Sequence, residues 1–481
     1  MTRRTSTAML ALVALLSIAA INPLQYIDAW TAEARAHGHK LAYAASAEIP
    51  TETVSDIPCV NGMAGDFACD GIDLLSFMPS SAFGGAVGDA VASADVLGLI
   101  SGNSDVWGWT DTLDTEDTVD DQEYAIIGHS QGTAFIRVTD PYNPVYMGSV
   151  PNTAAGQLIW HDIKVIDNYA LIVSESVPHG VQIFDMTLLR TIPDAVVAPS
   201  PLPVTGFYPL SVAQHNVVTN DDTNRAYIVG GGSIVGVDPV CGGGLEILDF
   251  VAGATLAPAG CYDTEGYVHD AQCVTYEGPD TDYTGREICL LFAEQEMSIV
   301  DVTDAANPTR IGAPLTYNHA YTHQGWFTED FRYVLMNDEL DEQELDAVTH
   351  TRTLVVDTSD LDAPTFVGEF QRDGSDGNPA TVSIDHNNYT HDGMAFQSNY
   401  ESGLRVIDLG SLDRDEDENG KADWDEIAFF DTYPADDASP GTEFNGTWSN
   451  YPYFESGTIV VSGIGEGIFF LKLQDGVVSD Q

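Results

Sequence analysis

Phe135-Ile136-Arg137-Val138-Thr139-Asp140 reads as a short apolar strand ending on an acid, and the phrase returns along the chain. It recurs at Val181 to Asp185, Leu245 to Asp249, Ile299-Val300-Asp301, Leu354 to Asp357, Leu404 to Asp408 and Ile468 to Leu471, often before a turn with Asn-Pro or Ala-Pro. Seven copies at intervals of about 48 to 64 residues fit a four-stranded propeller blade rather than a helical hairpin. No segment beyond the N-terminal leader shows a sustained helical apolar period with caps.

A second landmark lies upstream of each phrase. His161-Asp162, His215-Asn216, His269-Asp270 and His323-Gln324 follow one another at a constant spacing of 54 residues. His386-Asn387 and Trp448-Ser449 continue the series, and Trp109-Thr110 precedes it. Each is expected to open the innermost strand of a blade, giving an all-β, seven-bladed β-propeller built from LVIVD-like repeats. The seventh blade exhausts the repeat with its third strand, Gly467 to Leu473, so its outer edge needs a partner. The strand Ile72 to Met78 is expected to fill that edge and close the ring.

Composition narrows the functions. The 481 residues carry 74 acidic against 17 basic side chains, a formal charge of −57, yet 44% are hydrophobic, enough for a large core. Such a polyanion repels phosphate, which argues against nucleic acid as a partner. An anionic membrane surface is disfavoured for the same reason. Arg3-Arg4, the apolar run from Ala8 to Ile21 and the small residues Ala32, Ala34 and Ala36 read as a secretory signal over residues 1–36, with the export route open. No other stretch approaches a membrane span. Residues 37–71 then read as an N-terminal extension, 72–475 as the propeller and 476–481 as a tail. The expected location is periplasmic, secreted or cell-surface.

Six cysteines fall into sequence-local pairs, Cys59 with Cys69, Cys241 with Cys261 and Cys273 with Cys289. After an export signal they read as disulfides, although spacing alone leaves other connectivities open. A zinc site is the alternative, opposed by the lack of a Cys-x-x-Cys.

The strings Cys59-Val60-Asn61-Gly62-Met63-Ala64-Gly65, Trp107-Gly108-Trp109-Thr110-Asp111, Tyr321-Thr322-His323-Gln324-Gly325-Trp326, Phe429-Phe430-Asp431-Thr432-Tyr433-Pro434 and Gly446-Thr447-Trp448-Ser449-Asn450-Tyr451-Pro452 resemble the LVIVD-repeat proteins called choice-of-anchor B. The resemblance spans about residues 58 to 473. It implies a secreted or surface-displayed propeller and brings no biochemical activity with it. With no terminal apolar helix or sorting motif before Gln481, a free exported protein is the expectation.

Asp415-x-Asp417-x-Asn419-Gly420, with Lys421 through its carbonyl, Asp423 and Glu426, satisfies the twelve-residue calcium-loop pattern. Strand-like sequence on both sides makes residues 415–426 a calcium-binding hairpin loop inside blade six rather than an EF-hand. The alternative is a solvated acidic loop.

If the landmark histidines His161, His215, His269, His323 and His386 open equivalent strands, rotation about the axis brings them round one channel mouth. There they could hold copper, zinc or iron. They could equally bond neighbouring blades and recur because blades recur. Three imidazole nitrogens in reach of one point would decide for the metal.

Gly128-His129-Ser130-Gln131-Gly132 matches the nucleophile elbow of serine hydrolases, which would need a helix after Gly132. The flanking strand-like residues instead predict a hairpin turn. Cleavage after Ala36 would expose His37-Gly38-His39, a possible copper-binding tail. These features favour an exported, calcium-binding, non-catalytic binding or scaffold module for a protein, glycan or cation. A metalloenzyme or redox protein using the histidine ring is the alternative, and a hydrolase using Ser130 the second alternative.

Overall fold

The computed structural model describes residues 49–85, 102–112, 121–153, 159–193, 201–232, 239–371, 381–414, 424–435 and 441–477. Seven antiparallel sheets form the ring of a β-propeller. The innermost strands of blades 1 to 7 are Asn103–Asp111, His161–Ile166, Asn216–Asn220, Asp270–Thr275, Thr322–Phe327, Asn387–His391 and Thr447–Tyr451. Each repeated apolar phrase forms the third strand of its blade, as in Gly132–Arg137, Val181–Asp185 and Leu404–Asp408.

The phrases are apolar on successive residues because a blade is covered on both faces. Ala134 and Ile136 pack with Phe470 of blade 7, whereas the intervening Phe135 packs with Phe184 of blade 2, ring centroids 4.7 Å apart. Side chains that alternate across a strand thus feed two different interblade cores. Every pair of neighbouring blades has its own buried apolar cluster.

The ring closes as the unpaired edge of blade 7 requires. Ile72–Pro79 pairs antiparallel with Gly467–Leu473, Phe77 opposite Phe469, and Val54–Ile57 adds a further strand outside it. Phe67–Asp70 instead extends blade 6, with Cys69 opposite Phe430. The N-terminal segment therefore clasps the joint between blades 6 and 7, and Phe67, Phe77, Phe430 and Phe469 share one core there. Disulfides join Cys59 to Cys69, Cys241 to Cys261 and Cys273 to Cys289. Among the described residues, no helix is long and apolar enough to cross a membrane.

One phase differs from the sequence reading. The inner strand of blade 1 begins at Asn103, not at Trp109, which lies near the strand's far end stacked on Tyr124. Ser104 Oγ bonds the backbone of His161 as Asn216 Nδ2 bonds the His269 carbonyl, so Asn103-Ser104 occupies the landmark position. A register shift between Asn103 and Val106 and the polar run Asn103-Ser104-Asp105 disguise that start as loop.

Candidate functional site at the channel mouth

The inner strands begin at one end of the central channel, and four landmark histidines form a continuous arc there. Ring centroids are 4.4 Å apart for His215 and His269, 4.1 Å for His269 and His323, and 4.6 Å for His323 and His386. His161 lies outside the arc, edge-on to His179 at 5.7 Å, with its Nε2 3.4 Å from Asn152 Nδ2. Close approach of backbone shapes the arc: a Cβ on Gly230, whose φ is +70°, would sit 2.3 Å from His215 Cβ.

Two of these imidazoles spend one nitrogen on the backbone of the neighbouring blade. His269 Nδ1 lies 3.0 Å from the His323 carbonyl, and His386 Nδ1 lies 2.6 Å from the Trp448 carbonyl, each in the next blade. His386 Nε2 then lies 3.6 Å from Glu339 Oε1, and His323 Nε2 is 3.6 Å from Glu339 Oε2. Tyr400 Oη donates to the same carboxylate at 2.5 Å. All three residues, His323, Glu339 and His386, are buried and offer atoms within 4.8 Å of one another. Two imidazoles and a carboxylate, rather than three imidazoles, gather at one point among the described residues.

Burial drives the protonation of this mouth. It holds His386 down at about 3 and His323 well below the usual histidine value, the neighbouring imidazoles adding to the effect on His323. It also lifts Glu339 to about 7, against the hydrogen bond from Tyr400. Neutral imidazoles with lone pairs available are the form that binds metal. A buried apolar cluster that includes Trp160, Leu340, Tyr400, Phe444 and Trp448 adjoins the site, the Tyr400 and Trp448 rings lying 4.5 and 4.8 Å from that of His386.

Deeper in the channel, Lys164 Nζ lies 2.6 Å from Asp162 and 3.1 Å from Asp105, and 4.6 Å over the Trp107 ring. Burial opposes its charge, but the two carboxylates raise it well above the ordinary lysine value. A cavity of about 390 Å³ is lined by Lys164 itself together with residues including Trp107, Asp270, Gln272, Trp326 and Tyr389.

The sequence-predicted sites fare differently. In the calcium loop, Asp415, Asp417, Asn419, Lys421 and Asp423 lie outside the described residues. Glu426 belongs to the strand Asp425–Phe430, its carboxylate 3.4 Å from Arg405 Nη1. The signal segment and His37-Gly38-His39 also lie outside the described residues. Ser130 and Gln131 form the turn between paired strands that end at His129 and begin at Gly132, so a strand follows where a hydrolase needs a helix. Ser130 Oγ is buried without a hydrogen-bond partner among the described residues.

Glu339 and Tyr400 were not read from the sequence. A periodic signal was available, because Glu175, Glu294 and Glu339 each follow the second strand of a blade, those of blades 2, 4 and 5.

The fold and its lined channel define a seven-bladed propeller, an architecture suited to a binding or scaffold module. No family model and no curated protein matches the chain. Among solved structures it is similar to a functionally unknown protein from Desulfotomaculum acetoxidans, at 13% identity and TM-score 0.39, over 63% of this chain and 81% of that one. It is similar also to a protein from Lactobacillus plantarum, at 12% identity and TM-score 0.42, over 75% of this chain and 88% of that one.

Proposed function

We propose that this chain is an exported, non-catalytic binding propeller whose channel mouth holds a divalent transition-metal ion between His323, Glu339 and His386. The observation that carries the reading is the placement of two imidazole Nε2 atoms, each 3.6 Å from an oxygen of one buried carboxylate. Two histidines with one carboxylate is a recurrent donor set for zinc and for non-haem iron. The Nδ1 contact of His386 to a backbone carbonyl is the outer-shell bond that orients a metal-binding imidazole. Burial of all three ligand residues favours holding an ion over admitting a substrate, which sets the binding reading ahead of a metalloenzyme or redox protein.

Export is supported by the apolar N-terminal run and the three disulfides. The strings resembling choice-of-anchor B proteins support display at or release from the cell surface. The spacing of residues 415–426 supports a separate calcium loop on blade 6, and the acid excess suits a protein that collects cations.

The test is elemental analysis of protein purified from its export compartment without chelator or immobilised nickel, beside a His323→Ala/His386→Ala variant. Near-stoichiometric zinc, iron or copper in the wild type, lost in the variant, is expected. A wild type that carries no transition metal and takes up none on titration overturns the reading.

A further inference from the structure

A second group of close-set carboxylates lies in residues that no sequence pattern marks. Asp341 and Glu342 sit in the helical turn Asp341–Glu344 that follows the second strand of blade 5, and Asp385 precedes the inner strand of blade 6. The three side chains offer carboxylate oxygens within 4.8 Å of one another.

Their partners account for only part of this group. Arg352 Nε donates to Asp341 Oδ2 at 2.5 Å, and Asn337 donates to Asp385 Oδ2. Asp341 and Asp385 are both completely buried, yet among the described residues Oδ1 of each has no hydrogen-bond donor, and Glu342 Oε2 is likewise buried without one. Arg352 is itself shared with Asp338, at 3.7 Å, and with Glu369, at 3.4 Å. Carboxylate oxygens removed from water without donors are strongly disfavoured unless a cation or a proton meets them.

We infer that Asp341, Glu342 and Asp385 form a buried calcium site that ties blade 5 to blade 6. The donor set is entirely oxygen, which selects a hard cation over the transition metals that imidazole attracts, and calcium tolerates the irregular, carboxylate-rich geometry better than magnesium. The site is independent of the His323–Glu339–His386 reading, although it anchors the same two segments that carry Glu339 and His386.

The test uses a full-length parent in which the other candidate loop is disabled, Asp415→Asn/Glu426→Gln. Calcium titration of the parent is expected to give one equivalent bound at this site and a higher melting temperature with calcium. Adding Asp341→Asn/Asp385→Asn should abolish both. Crystals of the parent soaked in terbium should show an anomalous peak among the three carboxylates, which locates the site even if the quadruple variant does not fold. No calcium uptake by the parent, or a lanthanide peak elsewhere with none here, overturns the inference and leaves the carboxylates sharing protons.

Discussion

His215 Nδ1 lies 2.5 Å from Glu175 Oε1, a charge-assisted contact that bridges blades 2 and 3. Burial alone would lower the His215 pKa, but the hydrogen bond and charge of Glu175, with Asp270 and Glu339 further off, raise it above the ordinary value. His215 is thus the member of the arc whose charged form its surroundings favour, whereas burial disfavours the charged forms of His323 and His386. Because its folded pKa is raised, the contact stabilises the protein fully below about pH 6.5 and the effect fades as pH rises through the folded value. Glu175→Gln should move the His215 titration, followed by NMR of its ring protons, downward. An unmoved titration would show that Glu175 does not set its charge.

Lys164 is the only cation within bonding distance of Asp105 and Asp162 among the described residues. Lys164→Met keeps the volume and leaves two buried acids unpaired, which should cost about 3–5 kcal/mol. Chemical denaturation measures this, and Asp105→Asn/Asp162→Asn in the same background should recover part of the loss.

Phe77 is fully buried, its ring 4.7 Å from that of Phe469 across the ring closure. Phe77→Ala should cost about 3–5 kcal/mol. Deleting residues up to Met78 should cost more, because it also strips the edge of Gly467–Leu473. A truncated protein with an unchanged melting temperature would refute closure by this strand.

Two buried groups shape the pH profile in opposite directions. Burial lowers His179 from 6.5 to about 4, so the unfolded chain binds its proton first and stability falls as pH drops from about 6.5 to 4. Burial raises Glu466 from 4.5 to about 8, so the folded chain keeps its proton longer and stability falls as pH rises from about 4.5 to 8. Melting temperatures across pH should show His179→Gln flattening the acid loss and Glu466→Gln the alkaline one.

Gly108 lies where the inner strand of blade 1 meets blade 7. A Cβ there would fall 2.1 Å from the Tyr451 ring. Gly108→Ala should cost about 1–3 kcal/mol by overpacking, measured by thermal melting. The double change with Tyr451→Leu should recover part of it.

Much of the fold was legible because it is written in short stretches. The phrases at Phe135, Val181 and Leu404 became third strands since a blade needs apolar residues on both faces, whatever its place in the ring. The landmarks at His161, His215, His269, His323 and His386 fell at the starts of inner strands for the same reason. The start of blade 1 at Asn103 was missed because a bulged, polar beginning has no alternation to read. Asp341, Glu342 and Asp385 look in sequence like three more acids in an acidic chain; their proximity and the complete burial of Asp341 and Asp385 distinguish them.

By itself the sequence determined the number of blades and the strand that closes the ring, because each depends on local pattern and chain order, whereas the cysteine pairing, left open by spacing, was settled by the structure. Only the tertiary structure decided that Glu339 sits between His323 and His386, that His215 pairs with Glu175, and that His161 stands apart. Those relationships join side chains from different blades. They are set by how far each blade turns about the axis and by how much water the packed loops exclude.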